Sequence, residues 1–125
     1  MIFGVGTDIV AVARMAQLLE RHGERGLAKL LAPTERAACL ASGAADRFLA
    51  KRFAAKEALG KALGTGVRAP VLLPDIAVVH DDRGKPAFEF GPALAAYVSG
   101  RGLTAHLSIS DERDYAVAFV VLEQA

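Results

Sequence analysis

The chain has 125 residues, 15 Lys+Arg against 14 Asp+Glu, and a formal charge of +1. That is the length of one domain, residues 1–125, and 53% hydrophobic residues exclude intrinsic disorder. The even charge argues against a nucleic-acid binder, and no apolar run approaches the length of a membrane span.

Ile2 to Gly6 is a short apolar run with glycines at alternate positions, the pattern of a buried strand that something approaches closely. Thr7-Asp8 ends it. Ile9 to His22 has helical spacing, with Ile9, Val12, Met15 and Leu19 on one face and Gly23 as the stop. Residues 24–33 read as a short helix or loop ending at Pro33. Thr34 is the expected cap of a helix to about residue 41.

Asp46 is the expected N-cap of the longest helix, to about Leu63, ended by Gly64-Thr65-Gly66. Residues 67–74 form an extended loop with two prolines. Asp75 to Phe90 reads as a hairpin turning at Asp82-Arg83-Gly84, and Pro92 to Val98 as a short helix. A second hairpin pairs Ala105–Ser110 with Tyr115–Leu122. Helices and antiparallel hairpins segregated along the chain indicate an α+β fold: an antiparallel sheet of hairpins packed against a long central helix.

The apolar content is small-sided, with 25 Ala, 12 Gly and no Trp. Small side chains pack closely but bury little area each, so a partner surface is expected. Cys39 is the only cysteine, which excludes an internal disulfide; it reads as packing. The start Met1-Ile2-Phe3 lacks the form of a signal peptide, and a cytoplasmic, reducing location is the expectation. Charge is uneven along the chain. Residues 1–61 hold ten Lys and Arg against six Asp and Glu, and residues 62–125 hold five against eight. A basic half suits an anionic ligand or an acidic partner.

Several residues stand out. Glu57 and Lys61 lie one turn apart on the long helix in apolar company, beside Phe53 and Gly60. They are either an exposed i, i+4 ion pair or the polar groups of a ligand site. Asp8 is either an N-cap or a carboxylate that shares a hard cation with Glu57. Gly64-Thr65-Gly66 is either a helix stop or a backbone that closes on phosphate, and its spacing is not that of a Walker A loop. His106, Ser108 and Ser110 share one strand face, either solvated or the polar wall of a cleft. His22 and His80 have no partners at metal-ligand spacing.

Taken together, four blocks resemble a known family. GVGTDIVAVARM (4–15), RFAAKEALGKALGTG (52–66), GKP (84–86) and HLSISDERDYAVAFVV (106–121) are similar to the holo-acyl-carrier-protein synthases, small bacterial 4′-phosphopantetheinyl transferases. The resemblance spans nearly the whole chain in the family's order. It implies the 4′-phosphopantetheinyl transferase fold, and transfer of 4′-phosphopantetheine from coenzyme A to a serine of apo-acyl carrier protein, with release of adenosine 3′,5′-bisphosphate. This is a step of fatty acid biosynthesis.

Carried over by motif, Asp8 and Glu57 would be Mg²⁺ ligands. Glu57, or a metal-held water beside it, would take the serine proton, and Lys61 would hold the phosphates. Gly64, Thr65 and Gly66 would line the phosphate and pantetheine path, with Pro86 in a loop near coenzyme A. Arg52, His106 and Ser108 would contact the adenosine and its 3′-phosphate. The family is typically homotrimeric with active sites between subunits. Arg14 and Arg21 on the first helix, assisted by Arg25, would engage the acidic carrier protein. Asp111 departs from the His found in many members, which leaves the role of that turn open. Longer relatives that act on polyketide or peptide synthases carry two copies of the fold. A non-catalytic coenzyme A module or a structural trimer would not explain Asp8, Glu57 and Lys61 together.

Overall fold

The computed structural model describes residues 1–125. Strand β1 runs Ile2–Ala11, followed by helices α1 (Val12–His22), α2 (Glu24–Leu30), α3 (Pro33–Ala41) and α4 (Ala45–Leu63). A single 3-10 turn, Leu73–Asp75, leads into strands β2 (Ile76–His80) and β3 (Pro86–Phe90). Helix α5 (Pro92–Gly100) and strands β4 (Leu103–Asp111) and β5 (Tyr115–Gln124) complete the chain. The fold is α+β, as the segregation of helices and hairpins predicts. An antiparallel sheet of order β1-β5-β4 covers α4, and β2-β3 form a separate antiparallel hairpin.

The crossing of β1 over α4 organises the molecule. From Gly4 onward, the even-numbered β1 residues Gly4, Gly6, Asp8 and Val10 face the helix. A Cβ on Gly4 would stand 2.1 Å from the Ala62 carbonyl oxygen, and one on Gly6 would stand 2.0 Å from that of Ala58. Two strand residues advance about 6.6 Å and four helix residues about 6 Å, so alternate glycines on β1 keep step with alanines one turn apart on α4. Ala54, Ala58 and Ala62 are all buried. The Ala- and Gly-rich composition therefore brings a strand directly onto a helix backbone. Val10, Met15, Leu49, Leu59, Ala116, Ala118, Val120 and Leu122 fill the core around this contact.

Three sequence expectations are corrected. β1 continues through Asp8 to Ala11 and α1 begins only at Val12, whose N–H is taken by the Asp114 carbonyl at 2.9 Å. Asp8 is thus no helix cap. Thr34 does not cap α3: Pro33 is its first residue, and Glu35 turns its carboxylate back onto the Ala32 N–H at 2.9 Å. Asp46 lies inside the first turn of α4, after Ala44. Gly64 ends α4 as expected, in the left-handed conformation with φ 80°. Cys39 is fully buried, and burial pushes its thiol pKa up, in keeping with a packing role. No helix is long and apolar enough to cross a membrane.

Candidate active site

Asp8 follows Gly6 on the inward face of β1 and so arrives at the flank of α4. A helical side chain leans toward the helix N-terminus. Lys61 accordingly reaches back along α4, and its Nζ donates to the Thr7 carbonyl at 2.9 Å and to Asp8 Oδ1 at 3.1 Å. Its partner is Asp8, and no ion pair with Glu57 forms. Glu57 is half-buried nearby. Burial raises its pKa, and the Asp8 charge raises it further, against the opposing pull of Lys61 and Arg14. Arg14 of α1 reaches this rim, with its guanidinium 5.3 Å from the centre of the Phe53 ring.

Immediately past Lys61 the chain folds back on the helix. The Gly66 N–H donates to the Gly60 carbonyl at 3.0 Å, and a Cβ on Gly60 would meet the Gly66 carbonyl carbon at 3.0 Å. Thr65 Oγ1 donates to the Gly66 carbonyl at 2.8 Å. The loop 64–66 is therefore held against the end of the helix that carries Glu57 and Lys61.

The other expected site residues lie elsewhere. Arg52 and Glu57 are five residues apart, about 140° around the helix axis. Arg52 accordingly faces a second region, a cavity of about 230 Å³ lined by Phe48, Lys51, Arg52, His80, Pro86 and Asp111 among others. Pro86 lines the same cavity as Arg52. Lys51 and His80 are lining residues that sequence reasoning missed. Burial, then Arg52 and Lys51, hold the His80 pKa below its ordinary value. Asp111 is tied by Arg47 Nη1 at 3.1 Å, and the same guanidinium holds the Glu112 and Arg113 carbonyls at 2.7 and 2.9 Å. Arg47 thus fixes the β4-β5 turn onto α4, with Asp111 as one of its three acceptors.

His106 and Ser108 lie on the outward face of β4, away from α4, as strand alternation requires. In this single chain they join neither the Asp8–Glu57–Lys61 cluster nor the Arg52 cavity. His106 pairs with Glu123 across the strands. Arg14 and Arg21 are exposed on α1, and a groove of about 270 Å³ beside them is lined by Leu18, His22, Arg25 and Lys29.

The sequence model of the 4′-phosphopantetheinyl transferase superfamily matches residues 4–120. The chain belongs to this superfamily. It is 61% identical over 125 residues to the holo-(acyl-carrier-protein) synthase of Dechloromonas aromatica, with 100% of both chains covered. Among solved structures, it is similar to the crystal structure of the Neisseria meningitidis holo-(acyl-carrier-protein) synthase, at TM-score 0.95 and 44% identity, covering 99% of this chain and 100% of that one. The Bacillus anthracis enzyme, solved in complex with CoA (3′,5′-ADP), matches at TM-score 0.83 and 38% identity, over 100% and 99% of the two chains. The superfamily's defining stretch thus includes the β1–α4 crossing and every site residue expected from the sequence.

Proposed function

We infer that this enzyme transfers 4′-phosphopantetheine from coenzyme A to a serine of apo-acyl carrier protein, giving the holo form and adenosine 3′,5′-bisphosphate. The observation that carries this reading is the convergence of Asp8, Glu57 and Lys61 at the β1–α4 crossing of a chain from this superfamily. Relatives over the full chain are named for the same reaction.

Asp8 and Glu57 are two hard oxygen donors close enough for one to raise the pKa of the other, and no set of three potential ligands converges anywhere in the chain. That donor set fits Mg²⁺, which takes one or two carboxylates and completes its shell with phosphates and water. Mg²⁺ held there would supply charge neutralisation to the pyrophosphate. Glu57, or a water beside it, would accept the proton of the attacking serine hydroxyl as oxygen bonds to phosphorus. Lys61, fixed by Thr7 and Asp8, sets a positive charge beside the departing phosphate of adenosine 3′,5′-bisphosphate. Gly64, Thr65 and Gly66 line the approach of the pantetheine arm.

Arg52 and Pro86 bind the nucleotide end of coenzyme A, and His106 and Ser108 contribute from the outer sheet face. These groups lie apart from Glu57 within one chain, which is compatible with the between-subunit site of a homotrimer that the family resemblance implies. The outer face of the sheet supports that assembly. Phe3, Val5, Ile9, Tyr115 and Phe119 are large apolar side chains exposed on it, Ile9 at 60%. Arg14, Arg21 and Arg25 on the α1–α2 surface dock the acidic carrier protein.

The test is the intact mass of apo-acyl carrier protein after incubation with the enzyme, coenzyme A and Mg²⁺. A gain of one phosphopantetheine is expected, and Glu57→Gln should abolish it with the fold intact. No mass gain rejects the transferase reading; full activity in Glu57→Gln rejects the role of Glu57.

A further inference from the structure

The most deeply buried charges lie outside the Asp8–Glu57–Lys61 cluster. Lys56 is fully buried and Glu35 is 3% exposed. Lys56 Nζ donates to Glu35 Oε1 at 2.6 Å, to the Leu30 carbonyl at 2.7 Å and to the Leu73 carbonyl at 3.1 Å. Glu35 also accepts the N–H groups of Ala32 at 2.9 Å and Val78 at 3.0 Å. The far side of this carboxylate faces Arg52, whose Nε lies 3.7 Å from Oε2. Arg52 Nη1 in turn donates to the Val78 carbonyl at 3.0 Å, and the guanidinium stacks 4.4 Å from the centre of the Phe48 ring.

A buried ion pair is weak evidence of a stabilising role, because desolvation offsets much of the attraction. The charge count of this group points to another role. It holds two cations and one carboxylate. The close contact goes to Lys56 and the looser one to Arg52, so Lys56 neutralises Glu35 and Arg52 retains its positive charge. With an apolar residue at 56, Glu35 would neutralise Arg52 instead. With an apolar residue at 35, one carbonyl and one ring face would be all that orients the guanidinium. Burial lowers the pKa of both Lys56 and Arg52, and the Glu35 charge opposes that shift in each.

We propose that Glu35 is a positioning residue that fixes the Arg52 guanidinium at the cavity wall, and that Lys56 balances the Glu35 charge so that Arg52 remains free to bind a phosphate of the donor. This rests on the reading that Arg52 binds coenzyme A. The device is fed from four segments of the chain: the ends of α2 and α3, the 3-10 turn, and β2 through Val78. The packing of those segments thereby sets the geometry of a binding group on α4.

Steady-state kinetics of the intact enzyme, with coenzyme A and apo-acyl carrier protein varied separately, tests the proposal. Arg52→Gln should raise KM for coenzyme A about tenfold, the worth of one charge-assisted hydrogen bond. The double variant Glu35→Gln with Lys56→Met removes the buried Lys56–Glu35 pair as a unit and leaves Arg52 as the one charge of the group. It should raise KM for coenzyme A about fivefold, with kcat and KM for the carrier protein within about twofold. In the Arg52→Gln background the same pair of changes should add less than about twofold. A full independent rise in that background, or an equal rise in both KM values, means general packing and overturns the proposal. An unchanged KM in Arg52→Gln itself removes Arg52 from coenzyme A binding, and the inference falls with it. Glu35→Asp keeps the charge and shortens its reach, and it decides the matter if the double variant does not fold. A raised KM for coenzyme A alone supports the proposal; wild-type KM values overturn it.

Discussion

Lys61 is bonded to Asp8, across the β1–α4 crossing, and not to Glu57 one turn away on its own helix. Three consequences follow from that choice of partner. Asp8 is held at the helix flank by a side chain that also grips the Thr7 carbonyl. The Glu57 carboxyl forms no ion pair, and Lys61 and Arg14 act on it only from a distance. The Lys61 charge is anchored beside Asp8, 3.1 Å from its Oδ1.

Lys61→Met should therefore separate activity from stability. Lys61 is 54% exposed, so losing its ion pair should cost less than about 1 kcal/mol in denaturant unfolding. Loss of a positioned positive charge beside the leaving phosphate should slow transfer about a hundredfold. A large stability loss with near-normal turnover would make Lys61 a structural tie.

Much of this arrangement is legible in the sequence, and what is not has identifiable causes. The run Ala45–Leu63 reads as a buried helix because its apolar residues wrap most of its circumference and a glycine ends it. The alternate glycines of β1 correctly announce a close approach. The β1–α1 boundary is hidden because β1 is apolar on both faces. Ile9 fits the helical period of Val12 and Met15, yet it belongs to the outward face of the strand, where it is exposed. Lys56 had a local signal. Its helical neighbours at three and four residues include Phe53, Leu59 and Gly60, the same apolar company that singles out Glu57. Its partner Glu35 lies on another helix 21 residues away, and no sequence spacing encodes that contact.

Gly6→Ala tests the strand–helix contact. The added methyl would stand 2.0 Å from the Ala58 carbonyl oxygen, which belongs to helix backbone and has little room to yield. Unfolding in denaturant should show a loss of about 3 kcal/mol, the upper range for overpacking. Because Asp8 lies two residues further along the same face, transfer should fall as well. A loss below about 0.5 kcal/mol would mean that β1 can lift away freely.

The turn between β2 and β3 predicts an acid limb. Asp81 Oδ1 accepts the N–H groups of Arg83 at 2.8 Å and Lys85 at 2.9 Å, and these bonds hold its pKa below the ordinary 3.8. A depressed folded-state pKa contributes stability that is present above the unfolded value and lost as pH falls through the folded one. The turn should thus loosen below pH 3.8, seen as faster amide exchange at Arg83 and Lys85 beyond the intrinsic rate. Asp81→Ala should show that loosening at neutral pH. Because Gly84 and Pro86 line the Arg52 cavity, KM for coenzyme A should rise with it. Equal protection in both proteins would remove Asp81 from control of the turn.

Phe119→Glu distinguishes an assembly from a monomer. Phe119 stands at the centre of the outer sheet face, opposite Thr7 on β1 and Ser108 on β4, and is 45% exposed. In a monomer a carboxylate at that position would remain solvated, and its effect on stability should stay within about 0.5 kcal/mol. In an interface it would be buried unpaired, at a cost of several kcal/mol per site, enough to dissociate subunits. Sedimentation analysis should show the wild-type protein at three times the monomer mass and Phe119→Glu at the monomer mass. Transfer should be lost with assembly, because the outer face that carries His106 and Ser108 would no longer meet the Glu57 cluster of a neighbour. An unchanged mass, or a monomer with full activity, would show that one chain holds a complete site.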